Sequence, residues 1–418
     1  MEILTQCACG LDVHQATVVA CLLTVLSDGK VKKQMRTLGT KTRDLVELRP
    51  WLQSQGCTHV AMESTGVYWK PVYAIWEEGP FQLTVANAQH IKHVPGRKTD
   101  VKDAEGIADL PLYGLLNPSF VPPKPIRELR DLTRYRRKLV ESRSAERNRL
   151  LKLLETANLK LSSVASDVFG VSGRLMLDKL AEGKATPAEM AQLAKGRLRE
   201  KIAELEPALE GRREEHPRYL LKLQLRRLKD LEQDVQEVET RIQTKLQPYQ
   251  QEMDLLRGIP GVDWGGAAVI ISELGPDMQG FASAAQVSSW TGVAPGNHPS
   301  AGKRRRARVT KGNVHLKTAL VEAAYAASRA KGTYLRDKFY RVQARRGAKR
   351  AAVTVAHKIL VAVYHMLSKK VPYQDLGEAY LDKLNQHHLK RNLVRRLQRL
   401  GYGVTLQPQA APAGQPSR

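Results

Sequence analysis

Cys7-Ala8-Cys9-Gly10-Leu11-Asp12-Val13-His14-Gln15-Ala16-Thr17-Val18-Val19-Ala20-Cys21-Leu22-Leu23-Thr24-Val25 is the stretch on which the fold turns. Two runs rich in small and β-branched residues, Cys7–Val13 and Ala16–Val25, flank the polar pair His14-Gln15, the pattern of a β-hairpin. Asp12 sets a charge inside the first, otherwise apolar, run. Working outward, Val31–Leu38 reads as a third strand. Lys41–Gln53 places Leu45, Leu48 and Leu52 at helical spacing. His59–Glu63 then reads as a strand, Trp69–Glu78 as a helix and Phe81–Ala86 as a strand.

The resulting order, β-β-β-α-β-α-β-α over residues 6–116, opens as an antiparallel meander and closes in crossovers, which requires a mixed sheet. It is the order of a ribonuclease-H-like sheet. A Rossmann domain would alternate from its first strand and carry a Gly-rich first turn, which Gly10-Leu11-Asp12-Val13 does not supply.

The remainder is helical and basic. Pro122-Pro123-Lys124-Pro125 is a natural boundary, because proline suits linkers and helix starts. Ile126–Leu161 follows as a long helix dense in arginine. A second long helix has Leu221, Leu225, Leu228, Leu231, Val235, Val238 and Ile242 at steps of 4, 3, 3, 4, 3 and 4, close to a coiled-coil seam. Periodicity leaves open whether the two helices pair within a chain or between chains; a dimer is expected. Leu256-Arg257-Gly258-Ile259-Pro260-Gly261-Val262 resembles a helix-hairpin-helix turn, whose backbone N–H groups can meet a phosphate; an ordinary helix connection has the same pattern. The expected organisation is therefore α/β plus α, divided at 1–121, 122–250 (with a less regular insert at 162–212), 251–370, and a basic tail at 371–418 whose end reads as disordered.

Over 418 residues, 67 Lys and Arg against 42 Asp and Glu leave a formal charge of +25, which points to a polyanionic partner, most often nucleic acid. At 42% hydrophobic and 26% charged residues the chain is neither disordered nor membrane-embedded. No apolar run of about 18 residues and no basic-then-apolar leader is visible, so no membrane partner is expected, and the location expected is cytoplasmic. Cys7, Cys9, Cys21 and Cys57 read as buried thiols, since no second pair of metal ligands accompanies them.

Four acids stand out. Asp12 interrupts the first strand, Glu63 closes the fourth in Ala61-Met62-Glu63-Ser64-Thr65-Gly66, and Asp100 and Asp103 lie three apart, on one face if a helix begins there. In a ribonuclease-H-like fold these positions converge on one cleft. Carboxylates gathered there repel unless divalent cations neutralise them, and hard oxygen donors suit Mg2+ or Mn2+. Each acid alone also has a structural explanation, as a turn residue or as a first-turn acid favouring the helix dipole. Asp277 and Glu273 read as surface polar residues near a helix end.

A second constellation runs from Gly292 to Asn313. Six of the nine residues from Lys303 to Lys311 are basic (Lys303, Arg304, Arg305, Arg306, Arg308 and Lys311), and Ser300 precedes them in a Gly/Pro loop. Neighbouring cations would favour a serine alkoxide and stabilise a charged transition state; equally, such a loop can bind phosphate while its serine only bonds the backbone. His298 is near enough to suggest a base, although a loop histidine is more often polar surface. Further phosphate contacts are read at Arg127, Arg130, Arg134 and Arg137 on the first long helix, and at Arg345, Arg346, Lys349 and Arg350. The tryptophans read as core more than as base platforms.

Taken together, Gly10-Leu11-Asp12-Val13-His14, Met62-Glu63-Ser64-Thr65-Gly66, Asp100-Val101-Lys102-Asp103-Ala104, Ile259-Pro260-Gly261, Gly292-Val293-Ala294-Pro295, Ser300-Ala301-Gly302 and Lys311-Gly312-Asn313 resemble the DEDD transposases of bacterial insertion sequences, the insertion-sequence one-hundred-and-ten family of bridge-RNA-guided recombinases. The likeness covers roughly residues 8–116 and 251–330. It implies a Holliday-junction-resolvase-like domain followed by a transposase domain, with Asp12, Glu63, Asp100 and Asp103 holding Mg2+ and Ser300 as a nucleophile that links covalently to DNA. It further implies dimers assembling into tetramers through coiled coils, active sites composed of domains from different protomers, and a structured noncoding RNA pairing with donor and target DNA. Ala301 stands where the family's serine is followed directly by glycine, so Ser288 and Ser289 are kept as substitutes. Two other readings stay open: a metal-dependent junction resolvase in which water attacks, and a non-catalytic nucleic-acid scaffold.

Overall fold

The structure, a computed structural model, describes residues 4–64, 66–87, 103–116, 118–212, 214–294, 299–300, 303–304, 309, 311–384 and 386–407. It divides into two compact units, Met1–Val121 and Pro122–Arg418.

In the first unit, β1 (Cys7–Val13), β2 (Thr17–Val25) and β3 (Val31–Gly39) form the antiparallel meander, and β4 (His59–Glu63) and β5 (Gln82–Ala86) join it in parallel. The spatial order is β3-β2-β1-β4-β5, a mixed five-stranded sheet compatible with a ribonuclease-H-like DEDD domain. Alternation along the strands gives each face its own layer. Cys9, Leu11, Val18, Ala20, Leu22, Val60 and Met62 form one face, packed against Leu45, Leu48 and Leu52 of α1 (Thr42–Ser54) and Val72 and Trp76 of α2 (Trp69–Trp76). Trp76 is fully buried and its Nε1 donates to the Leu45 carbonyl at 3.0 Å, so it joins the two helices as core. The other face is lined with small residues: Ala8, Cys21 and Ala61 pack against Ala104, Ala108, Ile107 and Leu110 of α3 (Asp103–Leu112). All four cysteines are buried free thiols.

The second unit starts with α4 (Lys124–Thr156), whose first turn carries Pro125. Its partner is α9 (Glu215–Leu246), and they pair within the chain: Leu139 and Val140 meet Leu231, Val235 and Val238. Ion pairs from Glu128 to Lys245, Arg136 to Glu239 and Arg147 to Glu232 run in opposite directions along the two sequences, so the helices are antiparallel. The connecting segment reads as irregular in sequence but folds as short helices α5 (Leu161–Val164), α6 (Val171–Glu182), α7 (Pro187–Ala191) and α8 (Ile202–Ala208) around Leu161, Met176, Leu177, Met190 and Leu205. Three of them are shorter than a clear run of helical periods, and α6, though longer, lies between Gly170 and Gly183 in a segment broken by turn residues.

The remaining helices are α10 (Gln250–Arg257), α11 (Trp264–Leu274), α12 (Ala284–Thr291), α13 (Val314–Ala327), α14 (Tyr334–Arg346), α15 (Ala348–Lys369), α16 (Tyr380–Leu384) and α17 (Gln386–Arg399), with a small hairpin of β6 (Pro299–Ser300) and β7 (Lys303–Arg304). By length and mean composition alone α15 is long and apolar enough to cross a membrane, although Lys358 interrupts its apolar run. Half of its apolar window is buried, with Ala352, Val355, Ile359, Leu360 and Val363 at 0–1% exposure, as in a core helix.

Candidate functional site

The register of the sheet decides where Asp12 and Glu63 stand. Leu11 pairs with Met62 between parallel β1 and β4, so the next residues, Asp12 and Glu63, are neighbours at the same end of adjacent strands, about 4.8 Å apart in the sheet. Both fall on the face that carries Gly10 and Ala61, the face covered by α3. Both are half-buried, and the Asp12 carboxylate is 24% exposed.

Two observations fix the start of α3 over the same place. The Leu112 carbonyl at its far end accepts from the Leu4 N–H at 2.9 Å, ahead of β1, so the helix runs antiparallel to that strand. A Cβ on Gly10 would meet the Ala104 carbonyl at 2.2 Å and the Ala108 nitrogen at 2.3 Å, so the helix backbone rests directly on this glycine, two residues before Asp12. Asp103, the first residue of α3, therefore stands in the helical turn at the Asp12 end of the strand. The side chain of Asp103 and all of Asp100 lie outside the described residues. Among the described residues no group of three metal-ligating side chains occurs. One partner of Asp12 was not anticipated: His14 Nε2 lies 3.0 Å from its Oδ2.

In the second unit, the Ser300 backbone pairs with Lys303 in the β6–β7 hairpin; Ala301 and Gly302, between them, lie outside the described residues, as do the Ser300 side chain, His298, Arg305, Arg306 and Arg308. The ends of this segment are pinned together. A Cβ on Gly312 would meet the Gly292 nitrogen at 2.4 Å, and the Asn313 N–H donates to the Trp290 carbonyl at 3.1 Å. Ser288 is 1% exposed and its hydroxyl donates to the Ala284 carbonyl at 2.6 Å, which removes it as a substitute nucleophile; Ser289 is exposed.

Asn313 leads to a residue that the sequence misranked. Glu273 is fully buried, not superficial. Its carboxylate accepts from Arg134 Nε and Nη2 at 2.7 and 2.8 Å and from Asn313 Nδ2 at 2.6 Å, while Arg130 Nε lies 3.3 Å away. One carboxylate thus joins α4 to the residue that ends the serine-bearing segment and caps α13 through the Leu316 N–H. Burial pulls the Arg130 guanidinium down to about 10, with Glu273 opposing the shift. The signal was present in the sequence: Glu273 sits in an apolar helix between Ile271 and Leu274, as Asp12 sits in an apolar strand.

This corrects the reading of Arg130 and Arg134 as phosphate contacts, because Glu273 occupies both. Arg127 donates to the Pro122 carbonyl and Arg137 pairs with Glu141 and, at 3.7 Å, with Glu322. Lys311, Arg345, Arg346, Lys349 and Arg350 are exposed; the side chains of Lys303 and Arg304 are outside the described residues. The Gly258–Val262 turn does connect two helices, and Gly261 at φ +90° lies against the Ala323 carbonyl of α13, so packing as well as the turn calls for glycine there.

Residues 9–159 match the DEDD transposase model of the IS110 group, described as a transposase. Residues 253–341 match the transposase model of the IS116/IS110/IS902 family. The chain is thus a DNA transposase, the class of enzyme that moves an insertion sequence. It is 26% identical over 302 residues, 71% of this chain and 73% of the relative, to the transposase for insertion sequence element IS1111A of Coxiella burnetii (strain RSA 493 / Nine Mile phase I). With both models matched in order along one chain, it belongs to the IS110 family of insertion-sequence transposases.

Proposed function

We propose that this transposase cuts and rejoins DNA through a covalent bond between Ser300 and a DNA phosphate, supported by Mg2+ held by Asp12, Glu63, Asp100 and Asp103 in a ribonuclease-H-like, Holliday-junction-resolvase-like domain. The observation that carries the reading is the register placing Asp12 beside Glu63 on the sheet face where α3 begins with Asp103. The donor set fits a hard divalent cation: carboxylate oxygens, partly open to solvent, with no arginine or lysine paired to Asp12 among the described residues. Bound there, Mg2+ (or Mn2+) would neutralise the acids and the charge of an attacked phosphodiester.

The protein's own part is positioning and proton transfer. The Ser300 Oγ forms a bond to phosphorus as the bond from phosphorus to one strand oxygen breaks. The serine proton passes to a base, and the leaving oxygen departs as a hydroxyl after protonation. Reversal with a different strand hydroxyl restores the serine and joins the new strand, so no free energy source beyond the phosphodiester is needed. Lys303, Arg304, Arg305, Arg306, Arg308 and Lys311 beside Ser300 supply positive potential to the phosphate, and Arg345, Arg346, Lys349 and Arg350 extend it. Glu273, by holding Asn313, fixes one end of that segment.

The family likeness and the charge of +25 support two partners besides donor and target DNA: a structured noncoding bridge RNA that supplies sequence choice by pairing, and further copies of the chain, as dimers or tetramers with shared active sites. Because α4 and α9 pair within the chain, such copies would meet on other surfaces of these helices.

The test uses the full chain, a plasmid carrying both element ends, the element's noncoding RNA and Mg2+, with denaturing gels to trap protein–DNA adducts. Wild type is expected to give an adduct that Ser300→Ala abolishes together with strand joining. A fully active Ser300→Ala would overturn the serine mechanism and leave water as the attacking group.

A further inference from the structure

A cleft of about 810 Å3 lies between α14 and α17, apart from the serine-bearing segment in sequence. Lys338, Arg341 and Arg345 line it from α14, and Arg395, Arg396 and Arg399 line it from α17. Among the described residues Asp382 is the single carboxylate in the lining. It is engaged with Arg341 at 2.6 Å, and Asp337 holds the same arginine at 2.8 Å, so the acids near this cleft converge on one cation. Among the described residues Lys338, Arg345, Arg395, Arg396 and Arg399 form no ion pair.

Such an arrangement is costly for an isolated protein. Burial, joined by the charges of Lys358 and Arg345 and opposed by Asp337, holds the Lys338 ammonium below its usual range. Spacing adds a second observation. Lys338 and Arg345, the two cations on this wall with no ion pair among the described residues, stand at i and i+7 on one face of a helix, about 10 Å apart at 1.5 Å per residue. That length matches about three phosphate steps of one strand at 3.4 Å each. Among the described residues no aromatic side chain lines the cleft, and the chemistry on offer is a set of charged donors for phosphate oxygens.

We propose that the cleft between α14 and α17 binds the phosphodiester backbone of a nucleic-acid strand, contacting it from both walls. The helix α17 lies beyond both segments that match family models, so those matches say nothing of this wall of the cleft. The proposal rests on the reading of the protein as a nucleic-acid enzyme but on none of the residues assigned to Mg2+ or to the serine step. The bound strand could belong to DNA or to a guide RNA; both offer the same phosphates, and the test separates them.

The experiment measures binding of the full-length protein, by fluorescence anisotropy, to a labelled DNA duplex and to a labelled single-stranded RNA between about 50 and about 200 mM salt. Wild type is compared with the triple variant Arg395→Gln, Arg396→Gln, Arg399→Gln, and with Asp382→Asn, each checked for unchanged helix content by circular dichroism. In the triple variant the slope of log K against log salt should flatten by about 2 to 3, since each phosphate contributes about 0.9 on duplex and about 0.7 on single strands. Removing the lining's carboxylate in Asp382→Asn should instead tighten binding. Flattening with duplex alone assigns the cleft to DNA, and with the single strand alone to RNA. An unchanged slope on both polymers overturns the proposal, as does a wild type that binds neither. A flattened slope alongside a fully active Ser300→Ala would leave the cleft standing and remove only the serine mechanism.

Discussion

Asp12 and Glu273 are both acids in apolar segments, and the structure treats them oppositely. Asp12 ends a sheet face half-open to solvent, with an exposed histidine as its described partner and another acid on the neighbouring strand. Glu273 is sealed, and its two oxygens are saturated by two arginines and an asparagine. A carboxylate whose lone pairs are all used inside the protein holds elements together. One kept beside another acid at an opening retains the capacity to take a cation. What separates the two roles is the supply of donors around each acid, not the residue type or its apolar flanks.

The contrast can be broken most forcefully at Glu273. Glu273→Ala leaves Arg130 buried without its counter-charge, and a loss of about 3–5 kcal/mol is expected, read as a lower urea midpoint. A loss below about 1 kcal/mol would mean that this carboxylate is not the hub its contacts describe. Asp12→Asn should behave in reverse: stability within about 0.5 kcal/mol of wild type, but strand cleavage down by at least about 100-fold, more than the outer partners of a metal site usually cost. Retained cleavage would remove Asp12 from the chemistry. A third variant sharpens the comparison by moving the helix and leaving both acids in place. Gly10→Ala forces a methyl into the backbone of α3 and should cost about 1–3 kcal/mol, measured by thermal unfolding, with cleavage falling because Asp103 is displaced.

Much of the first unit was legible because its signals are local. Runs of small and β-branched residues in Cys7–Val13 and Thr17–Val25, and leucines at helical steps in α1, are set by a few consecutive residues, and the elements stand within one or two residues of the expected bounds. The neighbour relation of Asp12 and Glu63 is not local: it depends on the register between strands about fifty residues apart in sequence, which only tertiary packing fixes. The seam from Leu221 to Ile242 announced a helical partner but not which one, because a periodic stripe fits an internal helix as well as a foreign one. Glu273 was misranked for a related reason. Its proximity to a helix end suggested solvent, while the arginines that bury it lie some 140 residues earlier. Arg130 and Arg134 were misread with it, since a run of arginines looks the same whether it faces phosphate or an internal acid.

The contact of Gly312 with Gly292 carries a consequence for how this family can diversify. The chain leaves the helical unit and re-enters it at the same point, so the span between the two glycines is a closed excursion. For such a loop the entropy of joining the ends grows only with the logarithm of its length, about 0.6 kcal/mol per doubling. A change of length between the glycines should thus cost the helices little so long as Gly292 and Gly312 still meet. A single methyl at Gly312 itself would spring the clasp.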